Sequence, residues 1–127
     1  MIKNRLGIGR WGEDFACKCL IGRGYKILAR NYRKKFGEID VIARSSDKTL
    51  VFCEVKTIVE KPGFPVQLSP EDNLTFEKIQ KMRRIANFFA AQNPYLINED
   101  RGWRIDLIAI VLQPDEAIKR IQHYENI

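Results

Sequence analysis

The sequence predicts an α/β fold, one sheet covered by helices, with elements in the order α-β-β-β-α-β-β. Two long segments repeat apolar residues at helical spacing, and five short segments are rich in β-branched and aromatic residues. The chain has 127 residues, 45% of them hydrophobic, which suits one core and a single domain spanning 1–127.

The first helix is expected from about Arg5 to Ile21. Trp11, Phe15 and Cys19 recur at i+4 with Ala16 and Leu20 beside them, and Gly22 and Gly24 stop the run. Tyr25 to Tyr32 reads as a strand, followed by the basic turn Arg33-Lys34-Lys35-Phe36-Gly37. Strands 38–43 and 50–56 come next, joined as a hairpin around Ser45-Ser46-Asp47-Lys48. Residues 57–74 hold Pro62, Gly63, Pro65 and Pro70, a long connection of the kind often used for function. Thr75 is the expected N-cap of a second helix that runs to Gln92 and ends at Asn93-Pro94. Phe76, Ile79, Met82, Ala86 and Phe89 form its expected buried face. Trp103–Leu112 and Ile118–Tyr124 complete the sheet, and Trp11 and Trp103, which could stack on bases, each fit an apolar pattern that favours core packing.

The net charge of +6 favours a polyanionic partner. A single histidine, His123, gives little support to histidine-rich metal sites or His-based triads. Cys17, Cys19 and Cys53 form no CxxC pair and fit reduced, buried thiols. No apolar run reaches the length of a membrane span, and no apolar stretch follows Met1-Ile2-Lys3-Asn4-Arg5. The expected setting is therefore cytoplasmic, without a membrane partner.

Asp40 and Glu54 stand out because each carboxylate interrupts an apolar, β-branched run. Side chains alternate along a strand, so Glu54 and Lys56 share a face, as do Glu38, Asp40 and Ile42. An odd-numbered loop, such as 46–48 or 45–49, or a bulge puts Asp40 opposite Glu54, Ile42 opposite Phe52 and Glu38 opposite Lys56. Two close carboxylates repel unless a cation lies between them, and oxygen ligands suit Mg²⁺ or Mn²⁺. Lys56 would then orient the attacking water or offset charge on a phosphate. The plainer reading is a surface hairpin with a Glu38–Lys56 ion pair worth about 1 kcal/mol or less. Arg33-Lys34-Lys35 and the Lys78, Lys81, Arg83 and Arg84 face fit either DNA phosphate contacts or a solvated basic surface. Asp106 either pairs with a basic residue of the second helix or lines the site from a neighbouring strand.

These residues resemble the PD-(D/E)XK nuclease superfamily, with Asp40 on one strand and Glu54-Val55-Lys56 on the next. Nearly the whole chain resembles the bacterial YraN family, which is similar to archaeal Holliday-junction resolvases. Gly9-Arg10-Trp11-Gly12-Glu13 matches its G-x-x-G-E, Asn31-Tyr32-Arg33 its N-Y-R, and Gly37-Glu38-Ile39-Asp40 its G-E-I-D. Phe52 to Thr57 matches F-V-E-V-K-T, Lys78 falls on a lysine early in the second helix, and Arg104-Ile105-Asp106 on R-F-D. The resemblance implies a restriction-endonuclease-like fold, a central mixed sheet flanked by helices. It implies Glu13, Asp40 and Glu54 as acidic ligands, directly or through water, with the backbone carbonyl of Val55 as a further ligand and Lys56 as catalytic. It implies a Mg²⁺- or Mn²⁺-dependent endonuclease acting on DNA, branched, damaged or single-stranded, with a homodimer called for where two strands are cut. Where the family commonly has arginine after K-T this chain has Ile58, which puts that arginine's phosphate contact in question. The rival readings are a non-catalytic nucleic-acid-binding module and a partner-binding protein that retain the nuclease fold.

Overall fold

A computed structural model describes residues 5–69 and 74–127. The elements are helix α1 (Arg5–Gly22), strands β1 (Lys26–Lys34), β2 (Gly37–Arg44) and β3 (Leu50–Val59), helix α2 (Phe76–Gln92), and strands β4 (Trp103–Leu112) and β5 (Ile118–Tyr124). A 3₁₀ turn at Pro94–Leu96 follows α2. The expected order and the mixed sheet are both present. The strands lie side by side as β1-β2-β3-β4-β5, antiparallel except for the β3–β4 pair. A parallel pair needs a crossover, and the chain from Glu60 through α2 supplies it.

Thr75 caps α2 as expected, its hydroxyl accepting the Lys78 N–H at 3.1 Å. Met82, Ile85, Ala86 and Phe89 face the sheet and pack on Ile42, Leu50, Phe52, Ile105 and Leu107. Phe76, expected on that face, is 75% exposed, because the first turn of α2 projects past the packed layer. On the opposite face, Ala16, Cys17 and Leu20 of α1 pack on Val41, Ala43, Val51, Cys53, Ile108 and Ile110. Trp11 leans on Phe15 at 5.2 Å beside this second core, and Trp103 meets Phe52 edge-on at 5.7 Å in the first. Cys17, Cys19 and Cys53 are free thiols, and Cys17 and Cys53 are buried.

The β2–β3 register pairs Ile42 with Phe52, as the loop argument requires, and the loop is the odd-numbered Ser45–Thr49. Ser45 and Thr49 close it with a backbone bond of 2.9 Å, and Asp47 accepts the Thr49 N–H and hydroxyl. Pairing stops at Val41↔Cys53, short of Asp40 and Glu54. A break in the β1–β2 ladder at the same level accompanies this. Asn31 of β1 has φ of 52°, a left-handed conformation that asparagine tolerates better than most residues. Arg30↔Val41 and Tyr32↔Ile39 are paired, while Asn31 and Asp40 between them are not. On the α1 side of this break lie Val41 and Arg30, the latter 2.7 Å from Asp14. On the α2 side lie both Ile39 and Tyr32. The two-residue alternation is thus reset at Asp40, and Glu38, Asp40 and Ile42 do not share a face. Glu38 accordingly pairs with Arg33 across β1, at 2.8 Å, and not with Lys56. Arg33 and Lys34 belong to β1, so the turn is shorter than expected.

Candidate functional site

Beyond the last β2–β3 pair the two strands separate. β2 continues against β1, and β3 continues against β4 as far as Val59↔Leu112. The gap opens into a cleft of about 580 Å³ lined by Ile8, Gly9 and Glu13 of α1, Asp40 of β2, and Glu54, Val55, Lys56, Thr57 and Val59 of β3. The fold therefore brings Glu13, Asp40, Glu54 and Lys56 to one cavity from three elements. At its rim α1 approaches β3 through Gly12. A methyl group on Gly12 would sit 1.9 Å from the Thr57 hydroxyl oxygen. That oxygen is itself buried without a hydrogen-bond partner among the described residues.

Asp40 fills the place of the missing ladder bond, its Oδ2 accepting the Val55 N–H at 2.8 Å. Within a strand the N–H and C=O of one residue point to the same edge, so the Val55 carbonyl also faces the gap. Burial and the neighbouring charge of Glu54 push the Asp40 carboxyl up to about 7, and the two carboxyls are within hydrogen-bonding reach. Glu54 is 6% exposed, and its Oε1 accepts from Lys78 Nζ at 2.5 Å. Glu13 is also held above its ordinary value, first by burial and then by the charge of Asp40, while Arg30 and Asn31 oppose the shift. Lys56 is exposed on the same cleft.

A buried and a half-buried carboxylate in contact, one of them driven towards its neutral form, are the electrostatic condition that a divalent cation relieves. The donors are oxygens: Asp40, Glu54 and the Val55 carbonyl. That set suits Mg²⁺ or Mn²⁺, which keep several waters of their own. Among the described residues no three acidic, histidine or cysteine side chains are close enough together to hold an ion. Glu13 lines the same cleft without joining Asp40 and Glu54 in such a group.

The basic residues assemble more closely than their sequence separation suggests. Gly37, at φ of 146°, sits against Ile85 and the Lys81 Cβ, so the β1–β2 turn rests on α2. The Arg84 guanidinium lies 4.6 Å from the Phe36 ring, and the Lys34 ammonium 5.2 Å from that of Phe88. Arg33, Lys34, Lys35 and Lys81 are all exposed on this joined surface. Lys78 is not part of a free basic face, because it reaches into the site to Glu54. A lysine on the first turn of a helix gives no sequence signal for this contact, which depends on how the crossover returns.

Asp106 departs from both expectations. It is 0% exposed, and its partners are Arg104 Nε at 3.0 Å, His123 Nε2 at 2.7 Å and the Asn126 N–H at 3.0 Å. Arg23 Nη1 approaches His123 Nδ1 at 2.6 Å, and a guanidinium only donates, so Nε2 carries the imidazole proton and donates to Asp106. Because β4 alternates regularly, Asp106 points to the α1 side of the sheet, opposite the basic helix. It ties the chain after β5 to β4 and lines no part of the cleft.

The uncharacterised protein family UPF0102 matches residues 12–110. A UPF0102 protein of Dictyoglomus turgidum is 36% identical over 97% of this chain and 98% of its own length. One from Parafrankia sp. is 44% identical over 91% of each chain. Among solved structures, a repair endonuclease from Pyrococcus abyssi aligns with a TM-score of 0.40 at 15% identity, covering 84% of this chain and 36% of that one. SfsA from Pyrococcus furiosus, in complex with Ca²⁺, aligns with a TM-score of 0.37 at 16% identity, covering 91% and 60%.

Proposed function

The chain belongs to the uncharacterised protein family UPF0102, and from that premise we propose that it is a metal-dependent endonuclease hydrolysing DNA phosphodiesters. The observation that carries the reading is the Asp40–Glu54 carboxylate pair at the mouth of two separated strands, with Lys56 on the same cleft. Asp40, Glu54 and the Val55 carbonyl would hold Mg²⁺ or Mn²⁺, with Glu13 joined through water. When bound, such an ion supplies positive charge that polarises a phosphoryl oxygen and acidifies a water. Lys56 orients the attacking water and offsets charge gathering on the phosphate. Arg33, Lys34, Lys35 and Lys81 anchor neighbouring phosphates, which positions the strand without reading its sequence.

Branched and single-stranded DNA are the first substrates to try, and cutting both strands of a junction calls for a homodimer. The test incubates such DNA with purified protein and Mn²⁺ or Mg²⁺. Cleavage by wild type that disappears in Asp40→Ala supports the proposal. Equal trace cleavage by both proteins points to a contaminant and sinks it. A second reading, a non-catalytic DNA-binding module, draws on Glu54 already being neutralised by Lys78. Salt-dependent DNA binding by wild type and Asp40→Ala alike, with no cleavage by either, would favour it.

A further inference from the structure

Lys78 is the residue whose position the endonuclease reading leaves unexplained. It belongs to the first turn of α2, its N–H is bound to Thr75, and its side chain is 47% exposed along its length. Its ammonium nonetheless ends on the carboxylate of Glu54, one of the few buried charges among the described residues. It lies on the far side of Glu54 in sequence, 24 positions away on the crossover helix. A lysine placed there carries one positive charge to a pair of acids that would otherwise repel.

We propose that Lys78 is a resident counter-ion that a divalent cation must displace from Glu54, so that it tunes metal affinity. This deepens the endonuclease reading and rests on its carboxylate pair. Glu54 Oε1 cannot serve an ammonium at 2.5 Å and a metal ion at full strength together, and an ammonium so close also opposes a second cation at Oε2 by like-charge repulsion. With the ion in place Lys78 is released to the rim of the cleft, on the helix that also carries Lys81, where a substrate phosphate takes over as its partner. Lys56 would not duplicate this, because it reaches the cleft from β3 and stays exposed.

The experiment measures Mn²⁺ binding by calorimetry and by the loss of free-ion electron paramagnetic resonance signal, without any nucleic acid. Lys78→Met removes the charge and keeps the length. It is expected to bind Mn²⁺ more tightly than wild type by a factor on the order of ten. Lys78→Arg, which keeps the charge, stays near wild type. Lys81→Met removes an equal charge from the next turn and changes affinity much less. A second measurement is the melting temperature. In EDTA, Lys78→Met melts below wild type, because Glu54 has lost its partner, and saturating Mn²⁺ closes the gap. Equal Mn²⁺ affinity in wild type and Lys78→Met overturns the displacement idea and leaves the metal site standing. An equal gain in Lys81→Met assigns the effect to the general field and also overturns it. A melting gap of the same size with and without Mn²⁺ marks a purely structural bridge and overturns it too. No Mn²⁺ binding by either protein removes the metal site itself, and both proposals with it.

Discussion

Replacing Asp40 with asparagine is expected to stabilise the metal-free protein at pH 8. The carboxyl is raised from its ordinary 3.8 to about 7, chiefly by burial and by Glu54. The folded state therefore holds this proton over a range in which the unfolded chain has released it. Stability falls as pH rises from about 4 to about 7, and is level beyond either end. At 1.36 kcal/mol per pH unit, the interval sets a ceiling of about 4 kcal/mol. Asp40 is only partly buried, and solvent screening reduces this to about 2 kcal/mol. The substituted side chain would not carry that burden, because its amide oxygen still accepts the Val55 N–H and its NH₂ donates to Glu54. For a chain of this size about 2 kcal/mol corresponds to a melting shift of roughly 8 °C. The assay is urea unfolding in EDTA at pH 5, 6, 7 and 8, followed by tryptophan fluorescence. Asp40→Asn should overtake wild type progressively with pH, and Mn²⁺ should reverse the order. A wild type at least as stable as the variant at pH 8, or a difference indifferent to pH, would refute the electrostatic account of the pair.

Gly12→Ala should lose about 1–3 kcal/mol, because its methyl group lands 1.9 Å from Thr57 Oγ1, and Thr57→Ala should recover part of that loss in a double-mutant cycle. Asp106→Ala should cost about 2–4 kcal/mol in chemical denaturation, since Arg104 keeps Glu125 and Tyr25 but loses its buried partner, and His123 Nε2 and the Asn126 N–H lose their acceptor. Burial pushes the Asp106 carboxyl up, but bonds from His123, Arg104 and the Asn126 N–H outweigh it and hold the group below its ordinary range. Its contribution is therefore complete above pH 4 and should be lost on acidification through the lowered value, a loss absent from Asp106→Asn. Arg33→Ala and Glu38→Ala, by contrast, should each move stability by less than about 1 kcal/mol, because their ion pair is exposed and screened.

The strands, both long helices and the Thr75 cap were legible because periodicity and capping chemistry are local. The Ile42↔Phe52 register was legible as well, since an odd loop leaves little choice for two apolar strands. What escaped was the reset of alternation at Asp40. Asn31 was its only local sign, and an asparagine adopts many conformations other than the left-handed one. That reset misled the pairing of Glu38, although it also turns Asp40 towards Val55. The exposure of Phe76 and the reach of Lys78 to Glu54 depend on where α2 begins relative to the sheet, and the helical period is silent on that. Asp106 looked like a site acid because an acid in an apolar strand has the same local signature whether it meets a ligand or an internal base.

The parallel β3–β4 pair bears on how the molecule comes to be folded. Leu50 pairs with Trp103 and Val59 with Leu112, so each contact closes a loop of more than fifty residues. The β1–β2–β3 meander has short connections and can gather early, whereas this closure has a large entropy to overcome before it is rewarded. Glu54 lies on β3 and its lysine partner on the closing helix. Until the crossover docks, the two acids of the cleft have no positive neighbour on α2 and β3 presents a bare edge. The walls of the cleft thus come from early elements while its lysine counter-charge arrives in the slow step, and a chain interrupted at that point would display both an open strand and an unneutralised charge pair.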